Sequence, residues 1–374
     1  MEERLRELIS GNRETSRTRW AMEWKDKGGK VIGLLSQEVP EEVISAAGML
    51  PFRITGTWDG NISHARVYRS EGSCGYCNHV LESLLTGDLD FLDGIIIADI
   101  DQDLVRLWDV LSALKIKPLC HIMHVPFVDS GLNHRFFTEE IRDLIKVVED
   151  FGGKKITDDS LLSSIETYNK MRDLLTMMYD LRKKDIPPLS GAEALGITTT
   201  AGVMPKEEFN RELEALLPYL GERETDLGNF SPRLLVSSEM LDEPAYMDLI
   251  EENCIVAMDD MDTGSRYFNT QVNTSLSDPA YALARRYLGR AGAPRMAHWD
   301  RQVEQIIENV KDYSIDGVLG LPLTWCHPQS YRICFLRQRL QDAGIPYMSV
   351  DRAYNFANAG QIRTRIGAFI EMLA

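Results

Sequence analysis

The chain has 374 residues, of which 44% are hydrophobic and 26% are charged, and this balance excludes collagen-like, low-complexity and disordered proteins. Lys and Arg number 41 against 57 Asp and Glu, and the resulting net charge of −16 disfavours a nucleic-acid partner. The charged amino-terminal residues do not resemble a signal peptide, and no apolar run approaches the roughly 20 residues that cross a bilayer. We therefore expect a cytoplasmic protein whose six cysteines are thiols or metal ligands rather than disulfides.

In the first half of the chain, short apolar runs alternate with amphipathic helical stretches. The runs at 30–35, 49–54, 94–98 and 117–124 predict strands, and the periodicity of 39–48, 78–85 and 103–114 predicts helices. Residues 138–184 follow as a long helical stretch, which Gly152 and Gly153 interrupt. The pair Pro187-Pro188 then marks the best domain boundary.

The second half repeats this alternation. Strands are predicted at 233–237, 254–258, 317–322 and 346–350, and helices at 206–217, 244–252, 278–288, 300–313, 331–343 and 359–373. Strands that alternate with helices are typical of parallel sheets covered by helices. The sequence thus predicts an α/β protein with two similar parallel-sheet domains, flavodoxin-like or Rossmann-like, at residues 1–185 and 186–374, and a helical segment between or around them.

Ligands of open α/β sheets bind at the carboxyl ends of strands, so the loops after the predicted strands are the candidate sites. Ser36 follows the first strand and is either a helix cap or a substrate contact. Cys74 and Cys77 form a Cys-x-x-Cys pair on a predicted loop that enters a helix, a spacing that suits one metal or cluster. A thioredoxin-like redox pair and a buried structural pair are the alternatives.

Cys326 follows the predicted strand at 317–322 in the second domain. A cleft between the domains can bring it to the Cys-x-x-Cys pair and provide three sulfur ligands for an iron–sulfur cluster with an open fourth position. Cys120, Cys254 and Cys334 fall within strands or a helix, so we expect them to be buried core thiols.

A cluster of carboxylates follows the predicted strand at 254–258, in the sequence Asp259-Asp-Met-Asp262. Its spacing matches neither a Ca²⁺ loop nor a transition-metal site, so an interdomain hydrogen-bonding loop is the favoured interpretation. Arg266, four residues later, is the residue we assign to an anionic ligand. The sequence has no Walker-type phosphate loop, Gly-x-Ser-x-Gly elbow or Rossmann glycine fingerprint, which disfavours ATP use and serine hydrolysis by this chain.

Six segments, taken in order, resemble the 2-hydroxyacyl-CoA dehydratase family, which includes the cluster-bearing subunits of ATP-dependent benzoyl-CoA reductase. Among them are Thr-Gly-Ser-Arg-Tyr-Phe at 263–268, Trp-Cys-His-Pro at 325–328 and Ala-Gly-Gln-Ile-Arg-Thr-Arg at 359–365; the others are 33–53, 91–97 and 187–194. The resemblance implies a [4Fe-4S] cluster near an acyl-CoA substrate and a paralogous partner subunit. It also implies a separate ATP-hydrolysing iron–sulfur activator that delivers one electron for radical chemistry, either dehydration or ring reduction.

This chain departs from the family pattern at several cysteine positions. Ser36, Asp101, Asp262 and Ala293 stand where many members have cysteine, whereas Cys74 and Cys326 retain the expected sites. In the first hypothesis, Cys77 or Asp101 replaces the missing ligand and the cluster is retained, with Ser36 hydrogen-bonding the substrate or relaying a proton. In the second, the chain is a cluster-free, non-catalytic subunit that stabilises a cluster-bearing relative. A redox or metal-chaperone module that uses only Cys74 and Cys77 is the third.

Overall fold

A computed structural model describes residues 1–12, 14–58, 60–229, 232–290 and 297–373. Ala293 lies outside these residues. The strands are β1 (Val31–Leu35), β2 (Leu50–Arg53), β3 (Gly94–Ala98), β4 (Leu119–Met123), β5 (Arg233–Ser237), β6 (Ile255–Asp260), β7 (Gly317–Gly320) and β8 (Tyr347–Ser349).

The helices of the first half are α1 (Glu2–Ile9), α2 (Glu14–Asp26), α3 (Glu41–Ala46), α4 (Gly75–Thr86), α5 (Gln102–Leu114), α6 (Gly131–Gly152) and α7 (Asp158–Asp180). Those of the second half are α8 (Gly191–Ala201), α9 (Lys206–Glu222), α10 (Pro244–Ile250), α11 (Ser265–Phe268), α12 (Pro279–Gly289), α13 (Trp299–Asp312), α14 (His327–Asp342) and α15 (Ala359–Leu373). None of the helices formed by the described residues is both long and apolar enough to span a membrane.

The strands form two four-stranded parallel sheets with the same topology. Their orders are β2-β1-β3-β4 and β6-β5-β7-β8, so each sheet changes winding direction beside its first strand. Strands β1 and β3 are buried along their whole length, as expected for a sheet covered by helices on both faces. The predicted fold class, two similar parallel-sheet units with additional helices, is confirmed.

The amino-terminal helix packs across the chain onto the helices that follow the predicted boundary. The Thr200 hydroxyl at the end of α8 donates to the carbonyl of Leu8 and accepts from the backbone N–H of Gly11. A side chain on Gly196 would collide with the backbone of Ile9, so a glycine is needed where α8 meets α1. The division into residues 1–185 and 186–374 stays a prediction.

The Gly152-Gly153 break separates α6 from α7, as predicted. Gly153 has a φ of +72°, the left-handed conformation that ends many helices, and its N–H donates a hydrogen bond to the carbonyl of Glu149.

The expected burial of three core thiols is correct for Cys254, whereas Cys120 is only partly buried. It is wrong for Cys334, which is exposed because α14 turns Arg332, Leu336 and Leu340 inward and leaves residue 334 on the opposite face.

Candidate functional site

A cavity lies where the carboxyl ends of the two sheets meet. Its volume is about 90 Å³ and its walls are mainly apolar. Residues that follow β1, β3, β5 and β7 all contribute to the lining, so the points at which both sheets change winding direction face the same space. The chemically active side chains in the lining are Ser36, Arg53, Cys74, Cys77, Asp101, Glu239, Asp262, Tyr267 and Cys326.

The cavity brings together five of the six predicted site residues. Two of its cysteines precede helices: Cys74 is the amino-terminal cap residue of α4 and Cys326 that of α14. Cys77 lies in the first turn of α4, not on the loop where the sequence placed it, because the helix begins three residues earlier than predicted. All three thiols are buried. The partial positive charge of a helix amino terminus stabilises a thiolate, so both cap positions favour the ligand form of cysteine.

Close packing fixes the position of the Cys-x-x-Cys segment. A side chain on Gly75 would come within 3.0 Å of the Cβ of Tyr354, closer than most side chains pack, so the glycine favours this approach of α4 to the loop after β8. The Tyr354 hydroxyl donates to Asp242 at 2.7 Å and accepts from the N–H of Gly56 at 2.8 Å. The cysteine pair is thereby held against the second half of the chain.

Cys74 and Cys77 form a hydrogen bond through their side chains. This bond lowers the pKa of Cys74, whose sulfur accepts it, and raises the pKa of Cys77 well above its usual value, with burial adding to that rise. The backbone N–H of Cys74 donates to the Asp103 carboxylate at 3.3 Å. The arrangement favours one thiolate and one thiol rather than two thiolates.

Asp101 is the amino-terminal cap of α5. One of its carboxylate oxygens accepts from the backbone N–H of Leu104 at 2.8 Å, the usual contact of a capping aspartate. The cavity therefore adjoins the amino termini of α4, α5 and α14. Three helix ends of the same polarity favour negative charge in this space.

Ser36 has a φ of +88°, a conformation that residues other than glycine seldom adopt. Its hydroxyl donates to the Glu38 carboxylate at 2.6 Å, and that carboxylate accepts from the Arg290 guanidinium at 2.9 Å. The Arg53 guanidinium donates to the carbonyl of Ser36. Neighbouring groups thus hold the strained residue in place at the cavity wall.

Arg266 does not line the cavity. It is buried behind Glu239 and Asp262, with its guanidinium within 3.5 Å of both carboxyl groups and of Asp260, and it donates to the carbonyl of Ser238. The charged neighbours are all carboxylates of the chain itself. The contact of Arg266 with an anionic ligand stays a prediction. The Asp259–Asp262 segment also receives a hydrogen bond from Gln37, which joins the two halves of the chain as the hydrogen-bonding interpretation proposed.

Sequence reasoning missed Glu239, which lies two residues beyond β5 at the cavity wall. Burial raises the pKa of its carboxyl well above the usual range; the nearby Arg266 and Arg332 oppose this rise, whereas the Asp262 carboxylate adds to it. These surroundings favour a protonated Glu239 at the cavity wall. The rule that selected Ser36, a polar residue in the loop after a strand, also applies to Glu239.

Glu41 anchors the helix that follows the Ser36 loop. Its carboxylate accepts from the Tyr267 hydroxyl at 2.9 Å and pairs with Lys206 at 3.1 Å and with Arg53. Burial acts to raise the pKa of this carboxyl, but the attraction of Lys206 and Arg53 outweighs it and lowers the pKa to about 2 from the ordinary 4.5. The buried network depends on an ionised Glu41.

Acidification should therefore weaken the fold through Glu41. A carboxyl group whose folded pKa lies below its unfolded pKa stabilises the fold at higher pH and loses that effect as pH falls from about 4.5 to about 2. The difference corresponds to about 3 kcal/mol of unfolding free energy. Urea unfolding at several pH values measures it. A Glu41→Gln variant should be less stable at pH 7 and should show a flatter loss below pH 4.5; an unchanged pH slope would contradict the assignment.

Comparisons of the sequence with known proteins show the family of this chain. A family model described as 2-hydroxyglutaryl-CoA dehydratase, D-component, matches residues 37–373. The chain is 27% identical over 372 residues to one of the subunits of the benzoyl-CoA reductase of Thauera aromatica, with 94% of each chain covered. It is 26% identical over 360 residues to the beta subunit of the (R)-2-hydroxyglutaryl-CoA dehydratase of Acidaminococcus fermentans, again with 94% of each covered.

A third relative is the (R)-phenyllactyl-CoA dehydratase beta subunit of Clostridium sporogenes, which is 25% identical over 357 residues, with 92% of each chain covered. These names describe dehydratase and reductase subunits for CoA thioesters. The family model spans nearly the whole chain, and the resemblance inferred from its sequence motifs is confirmed. This protein therefore belongs to the 2-hydroxyglutaryl-CoA dehydratase D-component family.

Proposed function

We propose that this chain is a subunit of an iron–sulfur enzyme that acts on an acyl-CoA thioester, either as a 2-hydroxyacyl-CoA dehydratase or as a benzoyl-CoA reductase type enzyme. The observation that carries the proposal is the convergence of Cys74, Cys77, Cys326, Asp101 and Ser36 on one cavity between the two sheets. These residues come from distant parts of the sequence. If each had only a structural role, they would not need to line the same cavity.

The donor set suits an iron–sulfur cluster better than a single metal ion. Among the described residues, no group of three His, Cys, Asp or Glu side chains converges closely enough to hold one ion. A [4Fe-4S] cluster has a different requirement, since it takes one thiolate at each iron and needs thiols distributed around a cavity. Cys74 and Cys326 would hold it, with Cys77 or Asp101 as the third ligand. The chemistry that such a group supplies is one-electron transfer at low potential.

The remaining residues of the cavity would position the substrate and a proton. The Ser36 hydroxyl lies at the wall and can hydrogen-bond a substrate oxygen or relay a proton through Glu38. Burial raises the pKa of Glu239, which lies at the cavity wall on the second sheet, so this carboxyl is suited to hold a proton there. The apolar walls limit the access of water to the space between them.

The proposal includes two protein partners. The relatives named above are subunits, so we propose a related, paralogous subunit beside this chain. The sequence has no motif for binding a nucleotide triphosphate, and we therefore assign ATP hydrolysis to a separate iron–sulfur activator that passes the electron to this enzyme.

A second candidate function is a cluster-free companion subunit that stabilises a cluster-bearing relative. The observation in its favour is that three candidate ligands already have partners within the chain. The side chains of Cys74 and Cys77 form a hydrogen bond with each other, and Asp101 caps α5. In this case the isolated chain binds no iron and copurifies with a larger relative.

Replacement of Cys326 tests the iron–sulfur proposal. After anaerobic reconstitution with iron and sulfide, we expect a Cys326→Ala variant to lose most of the iron and the brown absorbance of the unmodified chain, because one of the cluster's thiolates is gone. Cys334→Ala is the matched control, since Cys334 is an exposed thiol on the same helix and should leave both readouts unchanged. Equal iron contents in the two variants would contradict the proposal.

A further inference from the structure

Two acidic side chains stand together at the cavity wall on the second sheet. Glu239 lies in the loop after β5 and Asp262 in the loop after β6, and both line the cavity. Their side chains form a hydrogen bond with each other. A carboxylate can only accept a hydrogen bond, so this contact requires a proton on one of the two groups.

The two carboxyl groups have oxygens that no other donor satisfies. Glu239 Oε1 and Asp262 Oδ1 are buried, and neither accepts an aligned hydrogen bond from an N–H or alcohol group of the described residues. Arg266 approaches them at 3.5 Å and 3.2 Å, but the guanidinium directs its hydrogen bond to the carbonyl of Ser238 instead. Such buried oxygens are rare in folded proteins, and a proton held between the two groups accounts for them.

The charges around the pair are unbalanced by one. The guanidinium groups of Arg266 and Arg332 face three carboxyl groups, those of Glu239, Asp260 and Asp262, and each of these five side chains is at most 12% exposed. A net charge is costly to keep in the low-dielectric interior of a protein, which favours the uptake of a proton. One proton makes the cluster neutral.

The contacts of Asp260 identify it as an ionised member of this cluster. It accepts from the Arg332 guanidinium at 2.7 Å and from the Ser237 hydroxyl at 2.8 Å. Burial acts to raise the pKa of Asp260, but Arg266 and Arg332 outweigh burial and lower it. The next charged groups are matched by partners of opposite charge: Asp259 by Arg182, Asp242 by Arg352 and Glu38 by Arg290. The additional proton therefore belongs to the two carboxyl groups at the cavity wall.

We propose that Glu239 and Asp262 form one acid–base pair that supplies a proton to the acyl group bound in the cavity, with Arg266 and Arg332 as positioning residues. The inference rests on the proposed function, which provides the thioester and the electron. Asp262 is also one of the positions at which this chain departs from the cysteine pattern of its family, so the pair is a feature of this chain.

Both candidate reactions consume a proton at the substrate. The O–H bond of the pair breaks, its electrons stay on the carboxyl oxygen, and the proton forms a new bond to the substrate. In dehydration the proton joins the departing hydroxyl, which leaves as water; in ring reduction it joins a ring carbon that has gained an electron. The pair is left as two carboxylates beside Arg266 and regains its proton from water.

Infrared spectroscopy of the full chain tests whether the pair holds one proton, because a protonated carboxyl has a C=O stretch that a carboxylate lacks. At pH 7 we expect Glu239→Gln and Asp262→Asn each to remove the signal of one protonated carboxyl, since either change leaves two carboxylates for two guanidinium groups. Gln and Asn are close in size to the protonated acids. Glu252→Gln is the control: it alters an exposed carboxylate of the same half of the chain and should leave the signal unchanged.

The comparison of the two variants separates a pair from a single buried acid. A signal that is lost in Glu239→Gln but kept in Asp262→Asn would overturn the pair, because burial of Glu239 alone would then hold the proton. A signal that neither variant changes would overturn the proposal as well.

Turnover by the chain in complex with its partner subunit and activator tests the proton transfer. With benzoyl-CoA and (R)-2-hydroxyglutaryl-CoA as probes, the thioesters in the names of two relatives, we expect Glu239→Gln to lower kcat by about 100-fold or more, the usual contribution of a general acid. KM and iron content should stay unchanged. Glu239→Asp retains a proton-carrying group and should recover part of kcat. An unchanged kcat in Glu239→Gln would overturn the transfer.

Failure of this inference is separable from failure of the proposed function. A complex that holds iron and keeps its kcat in Glu239→Gln contradicts only the proton transfer. A complex that holds no iron and turns over neither thioester contradicts the proposed function, and the infrared signal then still decides whether Glu239 and Asp262 hold one proton.

Discussion

A Glu42→Leu variant should lose about 3–5 kcal/mol of unfolding free energy, the usual result of removing one partner from a buried ion pair. Glu42 and Arg172 are both almost fully buried and form an ion pair. The Tyr287 hydroxyl also donates a hydrogen bond to the Glu42 carboxylate at 2.8 Å. The variant leaves the Arg172 charge without its counterion inside the protein. Chemical denaturation followed by circular dichroism measures the change.

An exposed pair provides the control for this experiment. Lys170 and Glu214 lie 2.8 Å apart on the surface between α7 and α9, and Glu214→Gln should cost at most about 1 kcal/mol. The double variant Glu42→Leu/Arg172→Met should recover part of the loss, since it leaves no uncompensated charge. A Glu42→Leu variant as stable as Glu214→Gln would show that the pair does not hold α3 against α7.

The second prediction with a large effect concerns the third ligand of the proposed cluster. Cys77 is the candidate with the better chemistry, because iron–sulfur clusters prefer thiolate to carboxylate. We expect Cys77→Ala to lose most of its reconstituted iron and Asp101→Asn to keep it. Asn caps a helix about as well as Asp does, so Asp101→Asn removes the charged ligand without removing the cap of α5.

Iron and sulfide analysis after anaerobic reconstitution measures both variants, and circular dichroism checks that each is folded. The reverse result, with iron retained in Cys77→Ala and lost in Asp101→Asn, would make Asp101 the ligand. If both variants keep their iron, neither residue is the third ligand, and the cluster is held by fewer residues of this chain than we propose.

Much of the fold follows from local sequence patterns. Strands β3 and β5 have the predicted bounds, because each is an apolar run of five residues, a length typical of a strand and too short for most helices. Helix α8 was not predicted. Nearly all of its residues are buried, so its sequence lacks the polar face that produces a helical periodicity, and the preceding Pro187-Pro188 pair indicated a domain boundary.

The site was predictable where it depends on strand ends. Ser36 and Cys326 were found because each follows a strand, and parallel strands bring such residues to one edge. Asp101 was identified through the family resemblance instead. The environment of Arg266 was not predictable, since Glu239 reaches it from a different strand and no sequence spacing connects the two.

Iron and acid-labile sulfide in the unmodified chain, purified and reconstituted without oxygen, test the central claim most directly. We expect about four iron and four sulfide per chain together with a brown absorbance, as for a [4Fe-4S] cluster. A folded chain that stays colourless and iron-free after reconstitution would contradict the claim and would leave the companion-subunit function in its place.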